Sequence, residues 1–171
     1  SVEETVDEEL KKIHETHKRV VDKVRREHEK SHKKHRDILK RVEEVHRRIL
    51  TDLERAGVDE SIIKEARDHV ERSREELRKS DEDNKRNIET VDDKARRSDE
   101  ELKKDIDELR KAKLDKKDLD EMLRRLKRKV DESERDLKKH LDDNKRAVEK
   151  SREDAERNLK ELRDKIREVK R

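Results

Sequence analysis

The sequence lacks Phe, Tyr, Trp, Cys, Pro and Gln altogether, and its 171 residues include a single Gly and a single Met. Without cysteine, disulfides and thiol chemistry are excluded, and the redox compartment stays open. With Pro near 5% of average usage, a chain of this length would lack it by chance on the order of once in several thousand. The loss of five further residue types therefore indicates a restricted alphabet.

Long hydrophobic runs are missing as well. No run approaches the roughly 18 apolar residues of a membrane span, and there is no secretory hydrophobic region, so we expect no membrane association at neutral pH. The localisation stays unknown because the sequence carries no targeting signal. A net charge of +3, from 53 basic and 50 acidic residues, argues against a general polyanion binder. Interspersed acids and the lack of aromatic stacking platforms also argue against nucleic acid as a partner.

What the chain does contain is charge, at 60% of its residues, with 25% hydrophobic residues. Such a composition normally predicts disorder. Here the apolar residues recur in alternating steps of three and four, and this periodicity indicates amphipathic helices instead.

Two short breaks, at residues 55–61 and 111–119, divide the chain. Gly57 is suited to the left-handed conformation that ends a helix, while Asp59 and Asp115 are suited to cap the helices that follow. Ser1 has the capping-box spacing to Glu4. The expected helices are about 2–55, 59–111 and 116–170.

Each helix would have roughly 50–55 residues, and short connections make neighbouring helices antiparallel. The sequence therefore predicts an all-α fold, an elongated, coiled-coil-like, up-down-up three-helix bundle, as one domain over residues 1–171. We expect a monomer that requires no partner. Self-association is the alternative, because Val21, Leu39 and Leu50 lie beside the main seam and would widen it.

Polar side chains occupy seam positions where Leu or Ile would be expected. Folding the chain at its breaks brings them level with one another on different helices, which predicts buried hydrogen-bond networks, because an unsatisfied buried polar group costs roughly 1–3 kcal/mol. The predicted network residues are His17, His28, Ser31, His35, His46, His69, Ser73, Ser80, Asn84, Asn87, Ser98, Ser133, His140, Asn144, Ser151 and Asn158.

Four groups of these residues come level, to within about one turn. The groups are His17 with Ser98 and, less closely, Ser133; His35 with Ser80 and Ser151; His46 with His69 and Asn158; and His28 with Asn84, Asn87, His140 and Asn144.

The restricted alphabet, the Asp-capped breaks, the Glu, Lys and Arg surfaces and the His, Asn and Ser of the seams together resemble de novo designed helical bundles with histidine-containing hydrogen-bond networks. The resemblance covers the whole chain. It implies that the networks specify helix pairing, and that in some relatives they also drive a pH-triggered conformational change. A natural spectrin-like helical spacer is an alternative of the same architecture, although such repeats normally use aromatic anchors.

Histidine changes charge near pH 6.5, within the biological pH range. A buried, neutral histidine has a pKa below its unfolded value, so its stabilisation is present above about pH 6.5 and is lost as pH falls. The alternative is that the networks only fix the register of the helices, as polar seam residues do in coiled coils. The sequence leaves both interpretations open.

Metal binding is a further alternative. Three histidines share one helix face, His28, His32 and His35, and His140 is expected to approach them, but zinc needs three or four tetrahedral ligands. Asn and Ser at the same level favour hydrogen bonding, so we expect no metal and no cofactor. We expect no enzyme either, because there is no glycine-rich loop, no strand-turn-helix elbow and no aromatic-lined pocket.

Overall fold

The computed structural model describes the backbone of residues 2–170 and the side chains of residues 4–168. It contains three helices, α1 (Val2–Arg55), α2 (Glu60–Lys111) and α3 (Lys116–Lys170). They pack against each other, and no strand lies between residues 2 and 170, so the predicted all-α three-helix bundle is confirmed. The observed helices match the expected ranges to within one residue. The capping role expected for Ser1 lies outside the described residues.

The first connection ends α1 with a left-handed glycine. Gly57 has a φ of +64°. The Gly57 N–H donates to the Glu54 carbonyl over 3.3 Å, and the Ala56 N–H donates to the Asp52 carbonyl over 2.9 Å. Both bonds satisfy carbonyls that the end of a helix leaves without a partner, so the connection terminates α1 as expected.

Gly57 offers a first test, because only its backbone conformation opposes a side chain. A Cβ atom at this position would meet no heavy atom within 4 Å. Gly57→Ala is expected to lower the free energy of unfolding by about 1 kcal/mol, since Ala tolerates a positive φ poorly. Gly57→Asn should cost less, because Asn adopts this conformation more readily. Urea unfolding would check both values, and equal stability of Gly57→Ala and the parent would contradict the explanation.

The second connection begins α3 with an aspartate cap. The Asp115 Oδ1 accepts a hydrogen bond from the Asp118 N–H over 2.9 Å, and the Asp115 carbonyl accepts one from the Leu119 N–H over 3.0 Å. This is the geometry of an N-cap, in which a side-chain oxygen satisfies an otherwise unpaired amide of the first turn.

Packing contacts divide the bundle into two compact units. The first unit comprises residues up to Glu29 together with Asn87–Asp143, and the second comprises Lys30–Arg86 together with residues from Asn144 onward. Each helix contributes one segment to each unit.

In the first unit, the beginning of α1 packs against the end of α2 and the beginning of α3. One core cluster joins Leu10 and Ile13 of α1 to Leu102 of α2 and Leu126 of α3. Burying each such side chain contributes roughly 1.5–3 kcal/mol. The opposite chain directions of α1 and α2 agree with the up-down-up order.

A second cluster in the first unit corrects one expectation. Val21 was expected beside the main seam, but it is 8% exposed and belongs to a core cluster with Val24, Val91 and Leu137, whereas Val20 is only partly buried. The reason is geometric: a helix that faces two partners buries a wider stripe than a single seam.

In the second unit, two further clusters form the core. Leu53 of α1 packs with Val70 of α2 and Leu162 of α3, and the half-buried Leu50 packs against this group. The other cluster joins Val42, Leu77 and Ala155, and the half-buried Leu39 packs against it. Leu39 and Leu50 thus contact the core of their own chain.

Ion pairs connect neighbouring helices at the surface. In the first unit, Arg25 Nε lies 3.5 Å from Asp92 Oδ1 and links α1 to α2, while Lys129 Nζ lies 2.7 Å from Asp105 Oδ2 and links α3 to α2. Exposed pairs of this kind contribute about 0–1 kcal/mol each. The apolar clusters therefore dominate the stability of the packing.

Candidate functional site

All sixteen predicted network residues are buried or half-buried. The prediction that His, Asn and Ser side chains form hydrogen bonds inside the bundle is confirmed. Ten of the sixteen are buried with the apolar core: His17, His28, Ser31, His35, His46, His69, Ser73, Asn84, Asn144 and Ser151.

The first group, here named the His17 cluster, takes His17 from α1, Ser98 and Asp99 from α2 and Ser133 from α3. The Nε2 atom of His17 lies 2.8 Å from the Oγ of Ser98 and 3.5 Å from the Oγ of Ser133. The two serine oxygens are 2.6 Å apart. One polar side chain from each helix therefore meets the other two, as the register predicted.

Asp99 completes this cluster, although the sequence analysis did not identify it. Its Oδ1 lies 3.6 Å from His17 Nδ1 and 3.4 Å from His14 Nε2. Its Oδ2 lies 3.1 Å from the Nζ of Lys103, one turn further along α2. The carboxylate thus connects a buried imidazole, a half-buried imidazole and an exposed ammonium group.

The protonation states follow from these surroundings. Burial lowers the pKa of His17, and the charge of Asp99 opposes this effect without cancelling it. Burial by itself would raise the pKa of Asp99, but the hydrogen bond and charge of Lys103 outweigh it and the pKa is lowered. At neutral pH a neutral imidazole therefore lies beside an ionised carboxylate.

The second group, here named the His35 cluster, repeats the arrangement with His35, Ser80, Asp81 and Ser151. His35 Nε2 lies 3.1 Å from Ser80 Oγ and 3.2 Å from Ser151 Oγ, and the two hydroxyls are 3.1 Å apart. His35 Nδ1 lies 3.5 Å from Asp81 Oδ1. Burial lowers the pKa of His35, against the opposing effect of the Asp81 charge.

A sequence signal relates the two clusters and would have revealed the aspartates. Corresponding residues differ by 18 positions on every helix: His17 and His35, Ser98 and Ser80, Asp99 and Asp81, Ser133 and Ser151. Eighteen residues make five turns of an α-helix, so each pair has the same angular position on its helix. The repeated Ser-Asp dipeptides of α2 and the repeated His-x-x-His of α1 were visible in the sequence, but the seam analysis considered only seam positions.

Between these levels, in the second unit, four side chains form what we call the asparagine relay. The Ser31 hydroxyl donates to Asn144 Oδ1 over 2.7 Å, the Asn144 amide donates to Asn84 Oδ1, and the Asn84 amide donates to His32 Nδ1 over 3.3 Å. The relay starts and ends on α1 and passes through both other helices. It requires the His32 tautomer with its proton on Nε2.

The third histidine level differs from the prediction in its partners. His69 Nε2 donates to the backbone carbonyl of Asn158 over 3.0 Å, while the Asn158 side chain donates to Glu76 over 3.2 Å. His46 is 2% exposed, and its Nε2 has no hydrogen-bond partner among the described residues. Burial, together with the charges of His69 and Arg74, lowers the pKa of His46 to about 4.

The remaining predicted residues are placed as follows. His28 is 2% exposed within the first unit, and Ser73 is buried within the second. Asn87 is half-buried. His140 is also half-buried, and its Nε2 accepts a hydrogen bond from Lys94 Nζ over 2.7 Å. The grouping of His28 with Asn84 and Asn144 stays a prediction.

The geometry gives no support to the metal alternative. Across the described residues, no group of three or more His, Cys, Asp or Glu side chains is arranged to hold a metal ion. Two of the four candidate ligands have a nitrogen engaged in other bonds, since His32 accepts from Asn84 and His140 accepts from Lys94. The lone pairs that a metal would need are used in hydrogen bonds.

Asp99 supplies a test of the electrostatics around His17. Asp99→Asn removes the negative charge that opposes the effect of burial, so the pKa of His17 is expected to fall further. Titration of the imidazole ring protons by NMR would measure it. Asp107→Asn, at an exposed position of the same helix, is the matched control. An unchanged or raised pKa of His17 in Asp99→Asn would contradict this account.

None of the described helices combines the length and the apolar character needed to cross a membrane. Comparison with protein families, curated proteins and solved structures finds no match to the chain.

Proposed function

We propose that this chain is a de novo designed structural protein whose buried polar side chains specify helix pairing and make its stability depend on pH. One observation carries the proposal: in each unit, a buried histidine on α1 lies within hydrogen-bond distance of one serine from each of the other two helices. The restricted alphabet and the 18-residue spacing of the two clusters support a designed origin.

The clusters specify pairing because their partners are available in one register only. A slip of α2 by one turn would place Ala95 or Leu102 at the level of Ser98. His17 and Ser133 would then lose a polar partner in a buried position. Each unsatisfied buried group costs about 1–3 kcal/mol, so the slipped arrangement is penalised even where its apolar contacts are acceptable.

The same histidines supply the pH dependence. Burial lowers the pKa values of His17, His35 and His46 below the ordinary value of 6.5. The unfolded chain therefore binds more protons than the folded chain below about pH 6.5. Their stabilisation is fully present above that pH and is lost as pH falls toward the folded pKa values.

The free energy of unfolding, measured at pH 7.5 and pH 5, tests the acid-sensing part of the proposal. Equal values at the two pH values would leave helix pairing as the only role of the networks. The pairing part is tested separately by replacing the asparagine relay, as set out in the Discussion.

A further inference from the structure

A cleft opens beside the His17 cluster in the first unit. Its volume is about 470 Å³, and both serine hydroxyls of the cluster line it together with His17. His17 itself is 1% exposed, while Ser98 and Ser133 are half-buried. A small molecule in this cleft would therefore meet the hydroxyl groups while the imidazole stays behind them.

The order of groups behind the cleft is hydroxyl, imidazole, carboxylate. Ser98 Oγ lies 2.8 Å from His17 Nε2, and Asp99 Oδ1 lies 3.6 Å from the other ring nitrogen. With the ring proton on Nδ1, facing the carboxylate, the Nε2 lone pair is directed at the Ser98 hydroxyl. A neutral imidazole in this position acts as a general base toward a serine.

We propose that Ser98 is a nucleophilic serine that accepts an acyl group from small activated esters, with His17 as the general base and Asp99 as a positioning residue. The Ser98 Oγ attacks the ester carbonyl carbon, and its proton passes to His17 Nε2. When the bond to the leaving oxygen breaks, that oxygen takes the proton from His17. The products are an acyl-serine and an alcohol, and His17 is neutral again.

The cleft also offers groups for the negative charge that develops on the carbonyl oxygen. The Ser133 hydroxyl lies 2.6 Å from Ser98 Oγ, and Lys94 and Arg97 line the same cleft. Donors and positive charges at such a position stabilise an oxyanion. Because Glu132 and Asp136 also line the cleft, a neutral ester fits it better than an anionic one.

The His35 cluster provides an internal comparison. Its histidine is 3.1 Å and 3.2 Å from the two serine hydroxyls, and Ser151 is buried at 6% exposure. The longer distances and the poorer access predict slower acylation there. Ser61, which is exposed on α2, represents an unactivated serine.

The test is acetylation of the full chain by p-nitrophenyl acetate at pH 7.5, quenched in acid at early times and mapped by tryptic peptide mass spectrometry. Peptide 98–103 carries Ser98, and peptide 56–64 carries Ser61. We expect Ser98 to be acetylated about a hundredfold faster than Ser61, the lower end of what a general base supplies. His17→Gln should abolish the difference, while the matched His35→Gln should keep it.

A positioning role for Asp99 requires its own readout. Asp99→Asn is expected to slow Ser98 acetylation and to move the midpoint of its pH–rate profile to lower pH, because the imidazole loses the charge that favours its protonated form. The titratable groups around the imidazole and the cleft are His14 of α1, Lys94, Asp99, Glu101, Lys103 and Asp105 of α2, and Lys129, Glu132 and Asp136 of α3.

Circular dichroism of each variant establishes that it is folded before its rate is compared. Equal acetylation of Ser98 and Ser61 in the parent chain would overturn the proposal. Faster acetylation of Ser133 than of Ser98 would overturn the choice of nucleophile, and an unaffected rate in folded His17→Gln would overturn the role of the base.

Discussion

Lowering the pH from 7.5 to 5 is expected to reduce the free energy of unfolding by about 2 kcal/mol through His46 alone. The pKa of His46 is about 4 in the folded chain, against an ordinary value of 6.5. The loss should reach about 3 kcal/mol at pH 4. His17 and His35 add to it with the same sign, because their pKa values are lowered too.

The size of this effect is large relative to the net stability of a domain, which is typically 5–15 kcal/mol. Protons bind the unfolded chain preferentially between the two pKa values of each histidine, so acid shifts the equilibrium toward unfolding. The ion pairs at the surface involve exposed carboxylates and contribute little. The buried imidazoles therefore dominate the pH dependence above pH 5.

Urea unfolding followed by circular dichroism across this pH range measures the effect, and His46→Leu isolates its main source. This variant should lose about 2 kcal/mol of the difference between pH 7.5 and pH 5. Ile49→Leu, a conservative change on the same helix, is the control and should retain the full difference. A pH dependence that is unaltered in His46→Leu would show that His46 is not the source.

The second large effect concerns the asparagine relay. Asn144→Leu is expected to lower the free energy of unfolding by about 3 kcal/mol. The Ser31 hydroxyl loses its acceptor and Asn84 Oδ1 loses its donor, and both residues are buried. Most of the cost therefore comes from the polar groups that are left behind and only a small part from the lost bond.

Replacing the whole set should reverse this loss. The positions 18 residues away in the first unit are Ile13, Leu102 and Leu126, which pack together in one apolar cluster. The triple variant Ser31→Ile, Asn84→Leu and Asn144→Leu copies that layer. Its stability is expected to equal or exceed that of the parent, because no buried polar group stays unpaired.

What the triple variant should lose is a unique register. Urea unfolding gives its stability, and the number of amide resonances in its NMR spectrum reports how many arrangements coexist. Additional resonances are expected if the relay specifies pairing. A single set of resonances with raised stability would show that the relay has no such role, and a triple variant less stable than Asn144→Leu alone would contradict the account of unpaired groups.

Much of the architecture was predictable from local rules. The helix ends were predictable because Gly57 and Asp115 have few other uses in a helical chain. The meeting of His17 with Ser98, and of His35 with Ser80, followed from antiparallel neighbours and a rise of 1.5 Å per residue. These inferences needed only the period of the pattern and the positions of the breaks.

Other features depend on side-chain geometry that periodicity does not carry. Asp81 and Asp99 lie beside the seams and reach the buried imidazoles from the side. Asn158 contributes its backbone carbonyl to His69, which no side-chain pattern predicts. The direction of the relay depends on which amide group donates, and that is decided by all partners together.

The spacing of the two histidine clusters has a practical consequence for lengthening the protein. Because five helical turns return a side chain to its starting angle, a cassette of 18 residues added to each helix at matching levels would leave all other faces in phase. Each cassette would extend its helix by about 27 Å. The molecule can be treated as a ruler with regular divisions, on which further histidine sites are added one graduation at a time.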